Sequence, residues 1–202
     1  MTASFTHCLK KRLERALVLL GCLYCLGAAW AANIEPQSAS LVADELGQAV
    51  TAEFSIDLGP RFEDAVRRSV PLHFRFEFDL TRKRRYWIDE HVAGHVVRYR
   101  LSYQALTRQY RLSLGGLHQN FDTLEEALRM LGRVGRLHVI DKAMLTPGET
   151  YTAAVRLSLD HTQLPKPLQV DALADQDWRI EATTLRWEFV PAAETAPPRP
   201  EK

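Results

Sequence analysis

The sequence predicts a mainly β fold with a few helices, built as an antiparallel β-sandwich of immunoglobulin-like type. Three observations carry this prediction. Apolar residues recur at every second position in five segments between Ala49 and Asp160. Successive strand side chains point to opposite faces, so such alternation marks strands buried on one side only. One apolar and one polar face suits antiparallel sheets stacked on a shared core, whereas parallel strands covered on both sides read as unbroken apolar runs. The helical patterns are short and fall in the connections. The alternative arrangement is a single curved antiparallel sheet with helices on one side.

In chain order, AVTAEFSIDL sets Val50, Ala52, Phe54, Ile56 and Leu58 against Thr51, Glu53, Ser55 and Asp57. GPRFEDAVRRSV then predicts a helix, with Pro60 near its start and Phe62, Ala65 and Val66 on one face. LHFRFEFDL places Leu72, Phe74, Phe76, Phe78 and Leu80 inward, and His73, Arg75, Glu77 and Asp79 outward. VRYRLSY does the same with Val97, Tyr99, Leu101 and Tyr103, and QYRLSLGG with Tyr110, Leu112 and Leu114. DTLEEALRMLGRVG reads as the clearest helix: Thr123 and Glu126 have capping-box spacing, Leu124, Leu128 and Leu131 share a face, and Gly132 or Gly135 can end it. YTAAVRLSLD is a further alternating strand, a short helix is expected from Pro167, and WRIEATTLRWEF closes the domain as a less regular strand or strand pair.

The two ends read differently. Lys10, Lys11, Arg12 and Arg15 precede the apolar run from Ala16 to Leu26, and Ala29 and Ala31 stand in an A-x-A arrangement. This predicts a cleavable signal peptide over residues 1–32 and a periplasmic destination. A lipid anchor on Cys22 and an uncleaved signal anchor are the alternatives. Residues 33–190 then form one domain, and the proline-rich stretch 191–202 a disordered tail. Cys8, Cys22 and Cys25 all fall in the leader, so the mature chain would have no thiol for a disulfide, a redox pair, a nucleophile or a zinc site. Removing the leader's four basic residues and one acidic residue turns a net charge of +1 into 22 basic against 24 acidic groups, or −2. That balance gives no overall field for nucleic acid, and no transmembrane segment remains after cleavage.

The densest local feature is TRKRRYWIDEHVAGH. Four contiguous cations, Arg82 to Arg85, run into Tyr86 and Trp87. Like charges in a run repel and stay solvated, so a charged hairpin tip is the first reading and an anion-binding surface the second. Arg98, Arg100, Arg108 and Arg111 would enlarge that surface if their strands lay nearby. His91 and His95 have helical metal-ligand spacing, but Gly94 and the following strand pattern make them loop histidines. No G-x-S-x-G elbow is present, and the carboxylate pairs Asp89 with Glu90 and Asp175 with Asp177 match chance in an acid-rich chain. No catalytic residue, cofactor-binding residue or metal ligand set follows, and no cofactor is implied.

The segments RYWID, YRLSYQALTRQYRLS, FDTLEEALRMLGRV, LPKPLQV and DWRIEATTLRWEF occur in an order that resembles an exported Gram-negative bacterial family of unknown function, often labelled proline-rich signal peptide proteins. The resemblance implies no activity. Its pattern emphasises Tyr86, Trp87, Asp89, Tyr103, Arg108, Tyr110, Arg111, Leu164, Pro165 and Pro167, and the family's genes often neighbour a nitrogen-regulation-type sensor kinase. Together these expectations describe a non-enzymatic periplasmic interaction module whose partner is an envelope or inner-membrane protein. Its contact candidates are Arg84, Arg85, Tyr86, Trp87, Tyr103, Arg108, Tyr110, Arg111, Pro165 and Pro167. The alternatives are a binder of anionic envelope lipid or polysaccharide, and a hydrolase with an unrecognised carboxylate pair.

Overall fold

The computed structural model describes residues 32–84, 89–169 and 180–191. The leader, Arg85, Tyr86, Trp87, Asp175, Asp177 and the tail beyond Pro191 lie outside the described residues, and with them the expectations placed there. Strands β1 (Asn33–Ala43), β2 (Gly47–Asp57), β7 (Arg133–Asp141) and β9 (Glu181–Ala182) make one sheet, in the order β7-β2-β1-β9. Strands β3 (Leu72–Arg82), β4 (Glu90–Gln104), β5 (Gln109–Leu114), β6 (Leu117–Phe121), β8 (Tyr151–Leu159) and β10 (Thr184–Phe189) make the other, in the order β10-β8-β3-β4-β5-β6. All strand pairs are antiparallel except β1 with β9.

This pairing is immunoglobulin-like. In the usual lettering, β1, β2 and β7 take the places of A, B and E, while β10, β8, β3, β4 and β5 take those of G, F, C, C′ and C″. The segment β9–β10 passes from one sheet to the other, running parallel to β1 before turning antiparallel to β8. Strand β6 and helix α2 (Leu124–Leu131) fill the connection between C″ and E. Helix α1 (Gly59–Arg67) joins the sheets and buries Phe62, Ala65 and Val66 beneath them.

The alternating residues behave as their period requires. Leu72, Phe74, Phe76, Phe78 and Leu80 of β3 and Tyr151, Ala153, Val155, Leu157 and Leu159 of β8 are all buried. Phe54 of one sheet meets Phe76 of the other edge to face, with ring centroids 6.1 Å apart. Full burial of one such ring stabilises by roughly 1.5–3 kcal/mol, so this layer, with no thiol in it, can hold the sheets together. Thr123 caps α2 by accepting the Glu126 backbone N–H at 3.2 Å. Gly132 then lets the helix end lie against β2: Phe54 N–H donates to its carbonyl at 2.8 Å, and a Cβ there would sit 2.4 Å from the Phe54 carbonyl oxygen.

Strands β1, β6 and β7 were not among the predicted elements. Strand β1 carries Pro36 and a bulge between Pro36 and Ser38 that breaks its alternation. Strand β6 is an edge strand whose residues are exposed except half-buried Phe121. Strand β7 begins directly after Gly132 and contains Gly135, so its start reads as a helix end. His91 and His95 are also corrected: both lie within β4, which starts at Glu90 and not in a loop.

Candidate functional site

The phase of β3 that buries five apolar side chains drives His73, Arg75, Glu77 and Asp79 onto the solvent face of the six-stranded sheet. The register then builds rows across it. Arg75 stands opposite Arg98, and His73 opposite Arg100. Arg100 is followed across β5 by Ser113, and Ser102 by Arg111. Like charges directly opposite one another destabilise a sheet, so this pairing carries an electrostatic cost. Arg75 relieves part of it through an ion pair to Glu77 at 2.9 Å, and Arg111 Nε donates to Asn120 Oδ1 at 3.1 Å. Arg98 and Arg100 make no ion pair or side-chain hydrogen bond among the described residues. His73 sits within this cationic field with Nδ1 buried and lacking a hydrogen-bond partner. Burial holds the imidazole below its ordinary range and Arg100 pushes it further down, with Asp160 pulling the other way.

Three cations of the basic run, Arg82, Lys83 and Arg84, are answered by nearby carboxylates. Arg82 Nε donates to Glu90 at 3.0 Å and its Nη1 to Glu149 at 2.8 Å. Arg84 reaches the same Glu90 at 2.7 Å, and Lys83 faces Glu188 at 3.7 Å. Hydrogen bonds from Arg82 and then Arg84 hold the Glu90 carboxyl below the usual carboxylate range. Bonds to Glu149 and Glu90 raise the Arg82 guanidinium further. Glu90 is thus committed to arginines. Nor do Arg82 to Arg84 merge with the sheet arginines. Eight residues of extended β4 separate Glu90 from Arg98, about 26 Å.

The segment LTRQYRLS divides its residues between faces. Tyr103 and Tyr110 pair across the β4–β5 hairpin with centroids 5.0 Å apart, and Tyr110 is buried against the core. Arg111 points the other way, and Arg108 occupies the hairpin loop at φ 58°. These tyrosines and arginines therefore do not share one surface. Pro165 and Pro167 are exposed, but residues 166–169 form a helical turn rather than an extended strip, anchored by buried Leu164.

A bulge separates the two strand histidines. Leu80 pairs with Ala93, but Thr81 pairs with His91, so the alternation shifts at Val92. His91 lies outward with Nε2 3.4 Å from Asp79 Oδ1, whereas His95 stands opposite buried Phe78 on the inner side. The pair cannot grip one metal. Among the described residues, no three of His, Cys, Asp and Glu gather as a metal site. Next to His91 the outer face sinks into a concavity of about 430 Å³ lined by Glu77, Asp79, Ala154, Arg156 and Arg186. The acids, Arg156 and Arg186 were not singled out as site residues. Their outward parity was the available signal; their convergence needed the strand order.

These observations describe a sheet face with exposed cations that make no ion pair among the described residues, and a charged depression beside them. The family model described as "Domain of unknown function (DUF4390)" matches residues 31–188, a range that takes in both sheets. The chain belongs to this family. No curated protein and no solved structure matches it.

Proposed function

We propose that this family member is an exported, non-enzymatic interaction module that docks an acidic segment of an envelope protein on the arginine rows of its six-stranded sheet. One observation carries the reading: Arg98 and Arg100 stand among Arg75, Arg111 and His73 with no acidic partner among the described residues. An arrangement that costs stability in the free chain is relieved when carboxylates arrive, and guanidinium forks suit carboxylates in two-point contact. Export rests on the leader's charge and hydropathy pattern. The resemblance to a family encoded beside sensor kinases makes the exposed domain of such a kinase the first partner to try.

A fluorescent oligoglutamate peptide serves as the probe. Its anisotropy with the purified protein is expected to fall as salt is raised, because the contacts are solvent-exposed charges. Arg98→Ser with Arg100→Ser should weaken binding about tenfold or more, the loss of two charge-assisted contacts. Lys83→Ser with Arg84→Ser should leave it unchanged. Affinity insensitive to Arg98 and Arg100 would discard the surface. Preferential binding of phosphatidylglycerol vesicles through Arg82 to Arg84 would replace this reading with an anionic-lipid binder.

A further inference from the structure

The depression beside His91 has an organisation that the arginine rows do not explain. Asp79, Ala154 and Arg186 form one row across β3, β8 and β10, and Gly94 continues it across β4. The next row runs Glu77, Arg156 and Thr184. Ala154 keeps the floor low where long side chains rise on either side, which is what opens the concavity. A Cβ at Gly94 would meet the His91 ring at 2.9 Å, so the glycine also permits the imidazole to lie over the strand and close one end.

The walls carry opposite charge, yet they do not neutralise each other. Glu77 faces Arg156 across β3–β8 but leans to Arg75 at 2.9 Å, and Asp79 leans to His91 at 3.4 Å. Arg156 and Arg186 are left without an ion pair among the described residues. Two strand spacings, about 9.6 Å, separate the Asp79 and Arg186 backbones, with only Ala154 between them. A dipolar slot of this kind cannot be satisfied by a simple anion, which meets the carboxylates, or by a simple cation, which meets the guanidinium groups.

We propose that the groove binds a small zwitterion in which a short linker joins a primary ammonium to a phosphate, as in an ethanolamine phosphate headgroup, free or in a bilayer. The ammonium lies at Asp79 and Glu77. The phosphate lies on Arg156 and Arg186, whose planar forks match its oxygens. Thr152 and Thr184, which also line the groove, supply hydroxyls to either end. This site does not depend on the acidic-segment reading of the arginine rows.

The test is a heteronuclear NMR titration of the full chain with phosphorylethanolamine. Saturable shifts are expected at Asp79, Ala154, Arg156 and Arg186, with ethanolamine alone and inorganic phosphate alone each binding at least about tenfold more weakly. Ala154→Leu, which fills the floor without changing charge, should abolish the shifts. Arg186→Gln, at an exposed position of edge strand β10, should weaken them about tenfold and serves if the leucine variant does not fold. Arg98→Ser with Arg100→Ser should leave them intact, which separates this site from the acidic-segment surface. Vesicles of phosphatidylethanolamine that compete with the soluble probe identify a bilayer source; vesicles that do not compete identify a free one. Equal affinity for inorganic phosphate, shifts that survive both groove substitutions, or no saturable shift would overturn the proposal.

Discussion

A histidine facing an arginine resists its proton. His73 is held low by burial and by Arg100 across the strand pair, so the unfolded chain takes up a proton near its ordinary value of 6.5 before the folded chain does. Its contribution to stability is therefore complete above that pH and is lost as pH falls from about 6.5 through the lower folded value. His73→Gln should flatten this part of the profile, read as the difference in urea midpoint between about pH 7.5 and about pH 5.5. An undiminished acid loss in the variant would show that the imidazole is not its source. Arg108 offers a second residue-level test. At φ 58° a side chain is strained in the left-handed region, and Arg108→Gly should raise stability by about 1 kcal/mol. Alternation alone marked His73 as outward. Its neighbour Arg100 was hidden because no local pattern states which β4 residue faces which β3 residue.

Elements were legible where one face is apolar and regular, as in β3, β8 and α2. They were illegible where that regularity is spent on something else. Strand β1 interrupts its period at Pro36, and β6 is an edge with little to bury. The bulge at Val92 sends His91 and His95 to opposite faces although their spacing of four would keep them together in a regular strand. Gly132 shows the reverse case: its role as a helix end was readable, but its contact with β2 was not. Gly132→Ala would force a Cβ to 2.4 Å from the Phe54 carbonyl oxygen and displace the hydrogen bond from Phe54. The expected cost is about 2–3 kcal/mol by urea denaturation. A variant as stable as the parent would mean that α2 is not held at that point.

Across the described residues, the cations of the six-stranded sheet fall into two groups set apart along its strands. Arg82, Lys83 and Arg84 of the conspicuous basic run are answered by Glu90, Glu149 and Glu188, while dispersed arginines from β3, β4 and β5 converge on the outer face of the six-stranded sheet. The sandwich architecture was legible because period-two burial constrains it strongly. The candidate surface was only partly so, since Arg111 and Arg108 were visible as cations but Tyr103 and Tyr110 were assigned to the same surface and pack on the other side. The most direct measurement is an NMR shift map of the protein with oligoglutamate. The account predicts perturbations concentrated at Arg75, Arg98, Arg100 and Arg111, fading with salt. Perturbations concentrated at Arg82 to Arg84, or around Tyr103 and Tyr110, would contradict it.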